Sequence, residues 1–176
     1  MYAIKRFFIS LFVIASFGAH PVMADSSKRI GDWKVIKGKF ESKEYCYAYT
    51  TPFRTKAYDG ENRNTPYLLI ANKGKNQLSF GLNSGFVIQA DQGVTFGVNG
   101  RERLLDIKLN ENAWTYSEIQ DTEIINDMIE DGISIQVRSY DMKDDTAVDY
   151  YSLNGIKHVL RYLDTNCQEI QISSKQ

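Results

Sequence analysis

Histidine and cysteine are scarce in this chain, with two of each. The histidines are His20 and His158, and together with the cysteines they form no ligand cluster of zinc type. Positive charge is not in excess either. Basic residues number 21 and acidic residues 22, and the balance turns more acidic once Lys5 and Arg6 are set aside with the leader described below. A chain without a basic footprint is not expected to bind nucleic acid or to adhere electrostatically to membranes. Long hydrophobic runs are also missing. The apolar stretch Phe7 to Phe17 falls well short of the roughly 20 residues that span a bilayer. No second span follows, so no stable membrane span is expected.

Catalytic patterns are missing as well. Ser152 and His158 form the one pair that hints at a hydrolase, yet the serine lies in no G-x-S-x-G elbow. A cap for Ser152 and an exposed helix position for His158 explain both residues. Asp141, Asp144 and Asp145 make the densest carboxylate cluster and are expected to form a solvated hairpin turn, with weak calcium binding as the alternative. Glycines fall at strand ends and turns rather than in a phosphate loop. No cofactor or metal is implied, and the chain is not expected to be an enzyme.

What is present first is a leader. Lys5 and Arg6 form a positive n-region, FFISLFVIASF an apolar h-region, and Val22-Met23-Ala24 a compact cleavage site. Residues 1–24 are expected to be a cleavable secretory signal, cut after Ala24, and residues 25–176 a single domain. Export makes a disulfide between Cys46 and Cys167 the simplest reading of an even cysteine pair. Free buried thiols or intermolecular bonds are the alternatives.

Aromatic residues make up 12%, with 11 tyrosines, which favours strands. Alternation predicts strands over 32–40 and 44–51. In the second, Tyr45, Tyr47 and Tyr49 share one face, while Cys46, Ala48 and Thr50 face another layer. Further strands are expected over 67–71, 77–82, 85–90 and 94–98, with a return through 103–108 after the type I′ turn signal Asn99-Gly100. A short strand around Trp114 precedes a helix opened by Asp121, with Ile124, Ile125, Met128 and Ile129 on its apolar face and Gly132 as its stop. Strands over 133–140, with Ile133, Ile135 and Val137 inward, and over 147–152 follow. A closing helix over 155–164 carries Ile156, Val159, Leu160 and Leu163 at helical spacing, capped by Asn154 or Ser152. Many short strands and few helices imply an antiparallel β-sandwich, a partly open barrel being the alternative.

Between Pro52 and Pro66 runs a polar stretch, expected to be a long loop and the best candidate for function. Arg54, Lys56 and Arg63 are basic, with Phe53 and Tyr58 interleaved, a pattern suited to an acidic partner or an envelope glycan. The tyrosine row at 45, 47 and 49 reads first as a half-buried sheet face and second as a platform for sugar rings.

Gly31-Asp32-Trp33, Cys46, Pro66-Tyr67-Leu68-Leu69-Ile70, Ala113-Trp114 with Met128 and Gly132, and Asp149-Tyr150-Tyr151-Ser152-Leu153-Asn154-Gly155 followed by Cys167 occur in that order. Together they resemble the invasion-associated locus B family of bacterial envelope proteins, over nearly all of residues 25–176. The resemblance implies an immunoglobulin-like β-sandwich with one disulfide, exported by a Gram-negative bacterium to the periplasm, the outer membrane or the medium. It also implies a part in virulence through host-cell invasion, and it brings no catalytic residues. A non-enzymatic envelope or secreted protein that binds a host or envelope protein or glycan is therefore expected. A periplasmic enzyme or chaperone-like protein acting on envelope polysaccharide or proteins is the alternative.

Overall fold

A computed structural model of the chain describes residues 23–40, 43–58, 63–73, 77–130 and 132–167. The elements are β1 (Met23–Ile30), β2 (Trp33–Phe40), β3 (Lys43–Thr50), β4 (Arg54–Lys56), β5 (Tyr67–Asn72), β6 (Leu78–Asn83), β7 (Val94–Val98) and β8 (Arg101–Leu105). They continue with β9 (Ile107–Leu109), β10 (Asn112–Trp114), α1 (Glu118–Glu130), β11 (Ser134–Tyr140), β12 (Thr146–Ser152) and α2 (Ile156–Asn166). One sheet has seven strands in the order β1-β2-β3-β5-β6-β10-β9, the other five in the order β4-β12-β11-β7-β8. Neighbouring strands pair antiparallel throughout both sheets.

Period-two burial explains the layers. On β3, Cys46, Ala48 and Thr50 are buried while the tyrosines between them are half-buried, and β11 and β12 alternate in the same way. The inward faces meet where Phe80 and Phe96 pack edge to face with centroids 4.7 Å apart, joining β6 to β7. Trp33, Val35, Leu68 and Ile70 from the large sheet share this core with Val98, Ile135, Val137 and Tyr151 from the small one. Helix α2 buries Ile156, Val159, Leu160 and Leu163, as their spacing requires, and packs on β1, β2 and β3. The disulfide Cys46–Cys167 ties its far end to β3. The fold is thus mainly β, a two-sheet sandwich with two helices and one disulfide.

Two of the sequence segments singled out above form a latch between the sheets. Asp32 donates its backbone N–H to the Asn154 carbonyl at 3.2 Å, and the Trp33 Nε1–H reaches the Ser152 carbonyl at 3.2 Å. Gly31 and Gly155 both have positive φ, 60° and 92°, and a Cβ on Gly31 would strike the Asn154 carbonyl. The Asn99-Gly100 turn also forms as expected, with both residues at positive φ.

Several expectations are corrected. Strand β1 carries no signal in the sequence: its Ser26–Arg29 side chains are exposed, and it is held by backbone pairing with β2 and by packing of Ile30 and α2. The Pro52–Pro66 stretch is not all loop, because β4 joins the edge of the small sheet. Residues 85–90 make no strand. Asn83 and Ser84 accept the backbone N–H groups of Gly85 and Phe86, and a single bridge joins Ile88 to Asp141. The return strand after Asn99-Gly100 breaks at Asp106 into β8 and β9. Helix α1 opens at Glu118, not at Asp121. Asp121 is buried and accepts the Phe80 N–H and the Thr115 hydroxyl, each at 2.7 Å. Ile133, expected inward, is 86% exposed because β11 begins one residue later. Neither Asn154 nor Ser152 caps α2; Gly155 holds that position, and Ser152 accepts the Asn154 N–H at 3.1 Å. The expected leader lies outside the described residues except for Met23 and Ala24, which open β1. Among the described residues no helix is long and apolar enough to cross a membrane.

Candidate functional site

After Thr50 the chain leaves the large sheet, and Phe53 donates its N–H to the Tyr150 carbonyl at 2.9 Å. Arg54, Thr55 and Lys56 then pair with Tyr150, Asp149 and Val148. Alternation sends Thr55 inward, where its hydroxyl donates to Asp149 Oδ1 at 2.6 Å. Arg54 and Lys56 point outward over the Tyr150 ring, the guanidinium carbon 6.0 Å and Nζ 5.5 Å from its centroid. Phe53, 64% exposed, stands 6.5 Å from the same ring. Among the described residues, no carboxylate lies within ion-pair distance of Arg54 or Lys56.

Tyr58 and Arg63 turn the other way. The Tyr58 ring stacks on Phe86 at 5.1 Å with 14° between planes, and the Arg63 guanidinium lies about equally close to both rings, at 5.2 and 5.0 Å. Arg63 then grips Asp149 with two nitrogens, one of them at 3.0 Å from Oδ1, and its Nε–H reaches the Ser84 carbonyl at 2.8 Å. The Tyr58 hydroxyl donates to Asp141 at 3.4 Å. Partial burial and then the Asp141 charge raise its pKa, with the Arg63 charge opposing them. The five residues expected to act together thus divide. Phe53, Arg54 and Lys56 present an outward basic and aromatic edge, and Tyr58 with Arg63 closes the sandwich behind it.

The partner of Arg63 was not foreseen. Asp149 opens the segment from Asp149 to Gly155, and a buried aspartate demands a cation or several donors. Nothing in the sequence says which cation comes to it.

The other buried carboxylates are likewise occupied. Asp127 takes Arg101 at 2.6 Å and Arg103 at 2.8 Å. Burial alone would push the Asp127 carboxyl up, but the hydrogen bonds and charges of Arg101 and Arg103 outweigh it and hold the pKa below the usual range. Asp141 accepts the N–H groups of Lys143 and Asp145 at 2.8 and 3.0 Å, so the Asp141–Asp145 cluster is a hairpin turn with Asp144 at a φ of 66°. Among the described residues no group of three His, Cys, Asp or Glu side chains is arranged to hold a metal ion. His158 is exposed on α2, and no hydrogen bond joins it to Ser152, whose hydroxyl accepts the Asn154 N–H.

On the outer face of the large sheet the tyrosine row forms as the alternation predicts. Tyr45 and Tyr47 stack at 6.0 Å, Tyr47 and Tyr49 lie 6.4 Å apart, and Tyr67 meets Tyr49 edge-on at 6.1 Å. With Ile36, Leu69 and Ala71, Tyr47, Tyr49 and Tyr67 line an open, uncharged depression of about 610 Å³. Burial first, then the neighbouring tyrosines, raises the Tyr47 pKa.

The chain is similar to the crystal structure of invasion-associated protein B from Bartonella henselae, with a TM-score of 0.59 over 79% of this chain and 95% of that one. The likeness is one of fold. Sequence identity is 14%, and neither a protein-family model nor a curated protein matches the sequence. What the comparison supports is the shared fold, and the short segments named in the sequence do structural work in it. Gly31 to Trp33 and Ser152 to Gly155 form the inter-sheet latch, Cys46 and Cys167 the disulfide, and Asp149 the buried partner of Arg63.

Proposed function

We propose that this chain is an exported, non-enzymatic protein of a Gram-negative envelope that binds an acidic partner through the outward edge formed by Phe53, Arg54 and Lys56. One observation carries the reading: two cations at the edge of a sheet, above an aromatic ring, with no carboxylate within ion-pair distance among the described residues. Lone edge lysines discourage strand pairing between molecules. Here the arginine and the exposed phenylalanine add a recognition surface of the kind that favours Arg and aromatic anchors.

Export is supported by the disulfide, which belongs to oxidising compartments, and by the leader-like residues 1–24. Regular pairing of β1 with β2 starts at Ser26, after a register shift that begins at Ala24, so cleavage there would leave the paired strand in place. A role at a host surface is the reading that the invasion-associated neighbour favours. A hydrolase reading has less support, since Asp121, Asp127, Asp141 and Asp149 all have structural partners.

The test has two parts. Fractionation of cells expressing the full chain is expected to place a processed form outside the cytoplasm. Pull-down with the Arg54→Glu/Lys56→Glu variant is expected to lose the partner that the wild-type protein retains, at an unchanged melting temperature. A full-length cytoplasmic product, or undiminished capture by the variant, would overturn the proposal.

A further inference from the structure

The outward face of the small sheet continues what β4 begins. In register, Lys56 lies opposite Val148 and Val148 opposite Arg138, while Arg54 lies opposite Tyr150 and Tyr150 opposite Gln136. Directly opposed residues of an antiparallel ladder point to the same side. The alternate positions Ala147, Asp149, Tyr151, Ile135 and Val137 are buried, so Arg138 emerges on the same side as Arg54 and Lys56. Two strand spacings separate Arg138 from Lys56, about 10 Å.

Arg138, like Arg54 and Lys56, has no carboxylate within ion-pair distance among the described residues, whereas Arg63, Arg101 and Arg103 all do. Three unneutralised cations on one face stand out in a chain with more acids than bases. Among the described residues, Glu102 on β8, at the far rim opposite Gly97, is the one carboxylate at an outward ladder position of this sheet. The side chains of Gln136, Ser134 and Thr95 lie along the same face, half-buried, and no hydrogen bond within the described residues engages them.

We infer that this face binds an acidic polysaccharide laid across the strands. Arg54, Lys56 and Arg138 hold its carboxylate or sulfate groups, Gln136, Ser134 and Thr95 its hydroxyls, and the Tyr150 edge packs on a sugar ring. The inference rests on the binding role proposed above and adds the ligand class and Arg138. An acidic peptide paired along the β4 edge would meet Arg54 and Lys56 and leave Arg138 two strands away. A bilayer surface would require exposed apolar side chains among the cations. The exposed Phe53 and Leu104 stand at opposite rims instead, and the apolar groups among the cations, Val148 and the Tyr150 ring, are half-buried.

Calorimetric titration of the purified protein against polygalacturonate, heparin, polyglutamate and neutral dextran tests this, with sedimentation against anionic phospholipid vesicles as a further arm. Expected are salt-sensitive binding of polygalacturonate or heparin, none of dextran, at least about tenfold weaker binding of polyglutamate, and no vesicle pelleting. Arg138→Gln is expected to weaken polysaccharide binding about tenfold at an unchanged melting temperature, and Arg138→Lys to restore most of it. Full affinity in Arg138→Gln with loss in Arg54→Ala/Lys56→Ala would overturn the polysaccharide inference and keep the edge. Tighter binding of polyglutamate, or pelleting with vesicles, would overturn the inference in the same way. Undiminished polysaccharide binding in both variants would overturn the edge reading as well.

Discussion

Replacing Arg63 with alanine removes a cation from the interior while its partner stays. Asp149 is 1% exposed and Arg63 10%, so water screens this pair poorly. In the variant the Asp149 carboxylate keeps one strong donor, the Thr55 hydroxyl, and the Ser84 carbonyl loses the Arg63 Nε–H. Breaking a buried ion pair on one side costs about 3–5 kcal/mol, and the lost contact with the Tyr58 and Phe86 rings adds roughly 1 kcal/mol. For a domain of this size each kcal/mol moves the melting temperature by about 2–4 °C. Arg63→Ala should therefore melt about 10 °C or more below wild type in circular dichroism or scanning calorimetry. Arg63→Leu/Asp149→Leu, which removes both charges, should recover part of that loss. A melting temperature within about 2 °C of wild type for Arg63→Ala would refute the reasoning, because an abandoned buried carboxylate cannot be that cheap.

Loss of the disulfide in Cys46→Ser/Cys167→Ser, which span 121 residues, is expected to cost about 5 kcal/mol in the chain-entropy model. Denaturant titration with and without reductant measures this, and wild type under reductant should approach the variant. The Asp127 carboxyl, depressed when folded, stabilises the protein fully above the ordinary aspartate value of about 3.9, and the contribution is lost as pH falls through the lower folded value. Melting curves of wild type and Asp127→Asn should therefore differ near neutrality and converge in acid; a constant gap would count against the Arg101 and Arg103 clamp. Tyr151 is fully buried, its hydroxyl meets no hydrogen-bond partner among the described residues, and burial followed by the Asp149 charge raises its pKa. Tyr151→Phe should be neutral or stabilising by about 1 kcal/mol, and a clear loss of stability would show that the hydroxyl is engaged.

Elements with clean periodicity were legible in the sequence. The alternation of Val94, Phe96 and Val98 before Asn99-Gly100 yields the β7–β8 hairpin, and the spacing of Ile156, Val159, Leu160 and Leu163 yields α2. Elements whose residues show no apolar alternation were not. Ser26 to Arg29 carry no apolar alternation, and β4 has three exposed residues. Asp121 looked like a helix cap because a polar residue before an apolar run usually is one. Its burial against the Phe80 N–H depends on a strand far away in the sequence. The candidate site divides along the same line. Composition marked Phe53, Arg54, Lys56, Tyr58 and Arg63 as a group, but only the fold separates the outward members from the inward ones. Arg138 gave no signal, since its place beside Lys56 follows from strand register, which a sequence does not display.

The central claim is that the protein acts by binding through the face that β4 borders. Chemical-shift mapping of the isotope-labelled protein titrated with polygalacturonate or heparin tests it most directly. The expected result is a set of perturbed amides confined to Phe53 to Lys56, β12 around Tyr150 and β11 around Arg138. Shifts centred instead on Tyr47, Tyr49 and Trp114 of the opposite sheet, or none at all, would contradict it.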